Sequence, residues 1–376
     1  MPPAPENDPD ERDRPPAEPE PHPEPLHLFT AEPEAAEDDD LDLEGDPDAL
    51  PRPSLPEVIA HLEEGGATPS MLVGLSDLDR AQITELRPVW AAMDEAHKER
   101  VLLGLIELAE DRYDTHFGRI FRLAAGDPSA AVRQRALGGL WDDDGPDLPD
   151  LLLQALERDP ADDVRIQAAQ GLAAVAVKAV LGEVDAAYAD RLQAALLAIL
   201  DDPAEPLALR RRALEAVAAY GSSAALDRHL AAMYEDDDSG LRSSAVFAMG
   251  QTLDPRWYGT VLDELASDDA EVRYEAARAT GHYGDPAGLP ALSELAADED
   301  DEVRQAAIAA IGEIGGRPAM RMLQRLAEQA GTDADLDAIQ DAIAEASVEA
   351  DPLLLDDDED EPDEEPFDRL DDDDRW

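Results

Sequence analysis

The stretch Asp-Glu-Asp-Asp-Glu-Val-Arg-Gln-Ala-Ala-Ile-Ala-Ala-Ile-Gly, residues 298–312, holds the pattern that decides the fold. Val303, Ala307 and Ile311 lie four residues apart, so they share one face of a helix. Asp298 precedes this row by five residues, and Gly312 follows it directly. The pattern predicts an amphipathic helix that begins after an acidic turn and ends at the glycine.

The same phrase occurs six times along the chain. Each copy begins with an apolar residue. Arg follows directly, and Ala stands four residues after the apolar residue. The copies begin at Val132, Val164, Leu209, Leu241, Val272 and Val303, with steps of 32, 45, 32, 31 and 31 residues. Such a constant spacing indicates structural repeats. The 45-residue step predicts extra residues within 173–187, as a longer helix or a loop.

A second amphipathic helix is predicted between consecutive phrases. Leu262 and Leu265 mark one of these helices, and Leu292 and Leu295 mark the next. Each repeat is therefore a helical hairpin, and one hairpin cannot bury its apolar face without a neighbour. The sequence predicts an all-α fold, an α-solenoid of about seven stacked hairpins.

The two ends of the chain differ in composition from the repeats. Residues 1–50 contain 18 acids and two arginines, and residues 347–376 contain 16 acids and two arginines. Segments so rich in acid and poor in large apolar residues cannot offset the entropy of ordering. We predict disordered acidic tails over 1–54 and 348–376, a degenerate helical cap over 55–110, and the repeat solenoid over 111–347.

Charge and composition exclude several classes of function. The net charge of -60 opposes binding to a phosphate backbone, so no nucleic acid is expected as a partner. The chain has no cysteine, and its seven histidines show no metal-ligand spacing. No apolar run approaches the ~20 residues of a membrane helix. We expect a cytoplasmic, monomeric protein without a catalytic site, a metal or a cofactor.

The phrase Asp298-x4-Val303-Arg304-x2-Ala307-x3-Ile311-Gly312 resembles the HEAT repeat family, in particular its short-repeat, phycobilisome-lyase-like branch. The resemblance covers about residues 110–330. It implies right-handed stacking of helical hairpins, with one concave and one convex face. It also implies a scaffold, adaptor or assembly factor, and the name of the branch leaves open a chromophore lyase or chaperone.

The recurring arginines have two interpretations. They could form an anion-binding row, or each could pair with an aspartate of its own or an adjacent turn, as the resemblance to HEAT arrays implies. We favour this second, structural ladder. Its members are Arg133, Arg165, Arg210, Arg242, Arg273 and Arg304.

On the second helices, the phrase positions two and six after the apolar residue should point away from the core, and they give Ser243 and Phe247, Tyr274 and Arg278, and Arg211 and Glu215. Aromatic and arginine side chains are favoured anchors of protein interfaces. They concentrate in the repeats that begin at Leu241 and Val272, although such rings could also fill gaps between hairpins. The candidates are Phe247, Trp257, Tyr274, Arg278, His282 and Tyr283. The prediction is a protein-binding scaffold with an unidentified protein partner.

Overall fold

The computed structural model describes residues 52–349, which form two compact units divided between Gly139 and Leu140. Every regular element within these residues is an α-helix or a short 3₁₀ turn, and no strand occurs among them. The all-α prediction is therefore confirmed. The predicted tails lie outside the described residues, apart from 52–54 and the last two residues of the final helix.

The first unit contains six helices in its described part. They are α1 (Leu55–Glu63), α2 (Pro69–Leu72), α3 (Arg80–Ala92), α4 (Glu95–Asp111), α5 (Gly118–Ala125) and α6 (Ala130–Gly138). Asp79 caps α3 by accepting a hydrogen bond from the Gln82 amide at 2.7 Å, while the Gln82 side chain accepts from the Asp79 amide. This reciprocal pair satisfies two donors that a helix N-terminus leaves open.

The second unit contains twelve helices in its described part. They are α7 (Leu148–Arg158), α8 (Asp162–Val180), α9 (Ala186–Asp201), α10 (Leu207–Val217), α11 (Ala224–Tyr234), α12 (Ser239–Thr252), α13 (Pro255–Glu264), α14 (Ala270–Tyr283), α15 (Leu289–Leu295), α16 (Asp301–Ile314), α17 (Gly316–Ala327) and α18 (Asp333–Glu349). They pair as six hairpins from α7/α8 to α17/α18. With α5/α6 of the first unit this makes seven, the number that the sequence predicts.

The second helices of successive hairpins pack directly on one another, α12 on α14, α14 on α16 and α16 on α18. Val303, Ala307 and Ile311, the predicted apolar row, are all buried in this core. The first helix of each hairpin then covers its second helix, as α15 covers α16. The phrase therefore forms the inner layer of the stack.

The prediction that phrases end at glycine is wrong for the three regular repeats. Gly250, Gly281 and Gly312 lie inside α12, α14 and α16, which continue for two residues beyond each glycine. A methyl group on Gly250 would lie 2.5 Å from the Cβ of Ala279, and one on Gly312 would lie 3.0 Å from Ala342. The glycines are needed because the next second helix approaches too closely for a side chain.

The extra residues of the 45-residue step lengthen two helices. The helix α8 has 19 residues and α9 has 16, whereas α12 and α13 of a regular repeat have 14 and 10. At the extended end of α8, Val177 is 45% exposed and Val180 is 55% exposed, and Leu181, directly after the helix, is 67% exposed. The insertion is therefore helical, the first of the two predicted alternatives.

Candidate functional site

In four of the six repeats, the turn between the two helices is held by an aspartate five residues before the phrase. The carboxylate of this aspartate accepts a hydrogen bond from the amide two residues further on. The pairs are Asp127 with Ser129 at 3.0 Å, Asp159 with Ala161 at 2.9 Å, Asp236 with Asp238 at 3.0 Å, and Asp298 with Asp300 at 2.9 Å. The local side-chain bond fixes the turn before the second helix begins.

Arg273 shows how a ladder arginine ties two repeats together. Its Nη1 donates to the carbonyl oxygen of Ser267 at 2.9 Å, in the turn of its own repeat. Its Nε and Nη2 donate to the two carboxylate oxygens of Asp298, in the next repeat, at 2.8 and 2.9 Å. This forked geometry is the strong form of an Arg–carboxylate bond. It also holds the pKa of Asp298 below its usual range.

Three other ladder arginines make some of these contacts, with backbone carbonyls of their own turn, with a carboxylate further along the chain, or with both. Arg133 donates to the carbonyl oxygens of Asp127 and Pro128 at 3.0 Å each. Arg165 donates to both carboxylate oxygens of Glu205 at 2.7 and 2.6 Å. Arg304 donates to the carbonyl oxygen of Asp298 at 3.0 Å and to the Asp335 carboxylate at 3.4 Å.

Arg210 and Arg242 depart from this arrangement. The Nε atom of each is buried and has no hydrogen-bond partner among the described residues. The phrase that begins at Leu209 also lacks the turn aspartate, because Ala204 stands at that position. The structural role of the ladder stays a prediction. Hydrogen bonds from the arginine to a backbone carbonyl of its own turn or to a carboxylate are present at four of the six positions.

Three candidate binding residues lie together on the second helices. The guanidinium carbon of Arg278, on α14, lies 5.8 Å from the ring centre of Phe247 on α12 and 5.7 Å from that of Tyr274. A guanidinium at this distance is attracted to both rings. All three side chains are half-buried, so the rings and the cation are held in place while part of each reaches solvent. We call the exposed side of α10, α12, α14 and α16 the second-helix face.

A polar network adjoins these rings on the second-helix face. Arg211, on α10, donates to the Ser244 hydroxyl at 2.8 Å and to the Glu271 carboxylate at 3.1 Å. The Ser244 hydroxyl donates in turn to Glu215 at 2.8 Å, and Ser243 donates to Glu271 at 3.1 Å. The network crosses three successive repeats, so it links α10, α12 and α14 in one polar surface.

Glu275 is the most perturbed carboxyl of the face. Burial raises its pKa to about 7, and the neighbouring carboxylates Glu215 and Glu271 add to the rise, against the opposing effect of Arg278. Arg278 donates to it at 3.3 Å, which is longer than a strong charge-assisted bond. Burial also raises the pKa of Glu313 on α16, while burial followed by the charge of Arg278 lowers the pKa of His282.

The other candidates lie partly outside this cluster. His282 lies on α14 one turn beyond Arg278 with part of its ring covered and part exposed, and its Nδ1 lies 3.5 Å from the side-chain amide nitrogen of Gln251. Tyr283 donates to the carbonyl oxygens of Met249 and Asp254 at 3.0 and 2.9 Å. Trp257 lies on the first helix α13 with its Nε1 buried and without a hydrogen-bond partner among the described residues. Tyr283 and Trp257 therefore belong to the packing between hairpins.

The phrase positions predict Arg211, Glu215 and Ser243 on this face, but they do not predict Ser244, Glu271 or Glu275 there. The phrase positions two and six after the apolar residue were expected to point away from the core. Glu275 stands three after Val272, Ser244 three after Leu241, and Glu271 one before Val272. With 3.6 residues per turn, all three lie beyond position six on the same side of the face, so a face widened on that side would have included them.

The described residues contain no group of three or more His, Asp or Glu side chains placed to hold a metal ion. None of the helices in residues 52–349 combines the length and the apolar character needed to cross a membrane.

Comparison with known proteins places the repeats in a family. The family model described as HEAT repeats matches residues 149–250 and 260–347, together half of the chain. No curated protein matches the chain significantly.

Among solved structures, the CpcE–CpcF complex of phycocyanin lyase from Nostoc sp. is 18% identical over 81% of this chain and 98% of that one, with a TM-score of 0.40. Human deoxyhypusine hydroxylase in complex with glycerol is 17% identical over 71% and 96%, with a TM-score of 0.32. Importin beta is 12% identical over 77% and 47%, with a TM-score of 0.40. The two matched ranges, with the hairpins that they contain, show that this chain belongs to the family of HEAT repeats.

Proposed function

We propose that this protein is a non-catalytic scaffold that binds a protein partner on the second-helix face. The observation that carries the proposal is the arrangement of Arg278 between Phe247 and Tyr274. Half-buried aromatic and arginine side chains that are already ordered lose little entropy on binding, and such residues dominate the energy of protein interfaces.

The charge of the face indicates the chemistry of the partner. Glu271 is exposed on this face, Glu215 and Glu275 are half-buried, and Glu313 lies on the next helix. A partner segment that presents apolar side chains to the rings and lysine or arginine to the exposed Glu271 would match the face. Complementary charge of this kind favours fast encounter and rejects acidic competitors.

The alternative of a chromophore lyase or chaperone stays a prediction from the family resemblance. It differs from the scaffold in a directly observable way, because a lyase or chaperone of that kind would carry a bound pigment. Visible absorbance that co-purifies with the protein from its native cell would favour this alternative over the scaffold.

The experiment is affinity capture from the native cell with the full chain as bait, followed by mass spectrometry. The face variant is Phe247→Ala with Arg278→Ala. The matched control is Trp141→Ala with Arg228→Ala, which also removes one exposed ring and one exposed arginine but away from the face. Circular dichroism verifies that both variants keep their helix content.

We expect at least one protein that the wild type and the control retain and the face variant loses. The purified pair should then show a dissociation constant raised about tenfold or more by the face variant. If every captured protein binds the face variant as well as the wild type, the second-helix face is not the binding surface.

A further inference from the structure

Helix α17 is unusual in an acidic chain because it carries three arginines and no acid. Arg317, Arg321 and Arg325 are exposed and spaced four residues apart. They lie within an arc of about 80° on one side of the helix and span about 12 Å of its axis. None of the three makes a hydrogen bond or an ion pair with another residue of the described range 52–349. We call these three residues the α17 arginine stripe.

The repeat itself does not require arginine at these positions. Leu323, which is buried on α17, stands 31 residues after buried Leu292 and 62 after buried Val261, so the first helices of the last three hairpins align without gaps. The residues that correspond to the stripe are exposed in both earlier repeats and are neutral or acidic. They are Pro286, Pro290 and Glu294 on the α15 side, and Pro255, Gly259 and Asp263 on α13.

The stripe is electrostatically unfavourable as it stands. Arginines four residues apart on a helix repel each other by roughly 0.2–0.5 kcal/mol per pair. Arg317 also lies in the first turn, where the helix dipole opposes a positive charge. Only Arg325, in the last turn, is favoured by the dipole. Stabilisation of α17 therefore does not explain the stripe, whereas a bound anionic segment would.

The chain itself provides an anionic segment, which begins directly after the end of α18. The hairpin α17/α18 places the end of α18, at Glu349, on the side where α17 begins with Arg317. Residues 350–376 follow directly and contain 15 acids against two arginines, including six consecutive acids at Asp356–Glu361. These 27 residues can span up to about 90 Å, far more than the length of α17.

We propose that the acidic C-terminal segment, residues 350–376, binds the α17 arginine stripe of its own chain. The guanidinium groups can donate forked, charge-assisted hydrogen bonds to carboxylates. The covalent tether holds the acids near the stripe at an effective concentration in the millimolar range, so individually weak pairs suffice. The contact depends on salt, because exposed charges are screened within about 3 Å at 1 M ionic strength.

This contact is independent of the proposed scaffold function, since α17 is a first helix and the second-helix face is formed by second helices. Either proposal can fail without the other.

The test uses zero-length cross-linking of the full chain. Lysine replaces arginine in the stripe variant (Arg317→Lys, Arg321→Lys, Arg325→Lys), which keeps the charge and introduces amines that a carbodiimide joins to touching carboxylates. The chain has only two native lysines, Lys98 and Lys178, so new cross-links are assignable by mass spectrometry. The control carries Arg119→Lys, Arg158→Lys and Arg228→Lys, three exposed arginines on three different helices.

We expect cross-links within the monomer that join the stripe lysines to carboxylates of residues 350–376. They should be about fivefold or more as frequent as those from the control lysines at low salt, because the tether concentrates the acids at the stripe. At 1 M salt the excess should disappear.

Three results would overturn the proposal. The first is equal cross-linking to the segment from stripe and control lysines, or none from either. The second is cross-linking of the stripe only to acids within residues 52–349. The third is cross-linking to the segment only in a covalent dimer, which would assign the stripe to the segment of a second copy.

Discussion

Asp127 in the first unit and Asp298 in the second stand at the same position of the repeat, and each fixes its turn through an amide two residues on. Their carboxylates nevertheless meet different cations. Asp298 is held by the forked guanidinium of Arg273, the arginine of the preceding phrase. Asp127 accepts from the Lys98 ammonium at 2.7 Å, and Lys98 lies on α4, outside any recognisable phrase.

The two pairs also differ in their surroundings. Lys98 and Asp127 have side chains only 9% and 4% exposed, and the Trp90 indole donates to Asp127 at 3.1 Å. Arg273 and Asp298 are slightly more exposed, at 13% and 10%. The comparison shows that the repeat determines where the carboxylate lies, whereas an earlier helix, α4 or α14, determines which cation it meets.

The largest effect should come from the buried pair of the first unit. Lys98→Met leaves the Asp127 carboxylate buried without its cation, and breaking one side of a buried ion pair costs about 3 kcal/mol. Urea denaturation followed by circular dichroism measures the loss. Lys178→Met, at the other native lysine, is the control and should change the stability by less than about 0.5 kcal/mol. Equal losses in both variants would show that the pair is not specifically stabilising.

A smaller loss is expected at the corresponding pair of the second unit. Arg273→Ala removes two charge-assisted bonds to Asp298 and one to the Ser267 carbonyl, but nearby solvent can reach the groups that are left. The free energy of unfolding should fall by about 1.5 kcal/mol. Hydrogen exchange should accelerate in the turn before α14, and partner binding by the folded protein should be retained. Unchanged stability with lost binding would instead make Arg273 a binding residue.

Glu275 is the opposite case to Asp127 and Asp298, because it is a half-buried carboxyl whose neighbouring cation, Arg278, lies at 3.3 Å. Its pKa of about 7 lies above the ordinary value of 4.5, so the folded protein binds a proton that the unfolded chain has released. Stability from this group is therefore present below pH 4.5 and is lost as the pH rises through 7. Glu275→Gln should leave stability unchanged at pH 4 and increase it at pH 8.

The measurement is the urea midpoint of wild type and Glu275→Gln at both pH values. Glu294→Gln, an exposed glutamate on α15, is the control for loss of one surface acid. A gain from Glu275→Gln that is the same at pH 4 and pH 8 would contradict the burial of an ionised Glu275.

The repeated phrase was sufficient to predict the hairpins because its apolar spacing is local and occurs six times. It could not predict Lys98 as the partner of Asp127, since no regular spacing connects α4 to the phrase. The glycines were misinterpreted for a related reason. Glycine often ends a helix, and only the contact of Gly250 with Ala279, 29 residues away, shows that close packing is its role here.

On the second-helix face, the aromatic and arginine anchors were predictable from residue type and phrase position. Their grouping was not. Phe247 and Arg278 are 31 residues apart and occupy the same phrase position in neighbouring repeats, so they meet only because α12 and α14 pack in register. Trp257 and Tyr283 have equally suitable side chains, but the Trp257 Nε1 is buried and the Tyr283 hydroxyl donates to the backbone of α12.

The smallest effect should come from a ladder arginine that forms no ion pair within 4 Å of a carboxylate among residues 52–349. Arg242 occupies the same phrase position as Arg273, but its Nε is buried without a hydrogen-bond partner among the described residues. Its charge contributes to the lowered pKa of Asp269, after hydrogen bonding by Ser239 and the backbone. Arg242→Met keeps the apolar stem and removes a poorly satisfied buried polar group, so the stability should change by less than about 0.5 kcal/mol. Urea denaturation of Arg242→Met and Arg273→Ala measures the stability of both variants. The comparison shows whether stability depends on having arginine at this phrase position or on the contact between that arginine and a carboxylate. A loss as large as that of Arg273→Ala would mean that the position itself, and not the Arg–carboxylate pair, stabilises the stack.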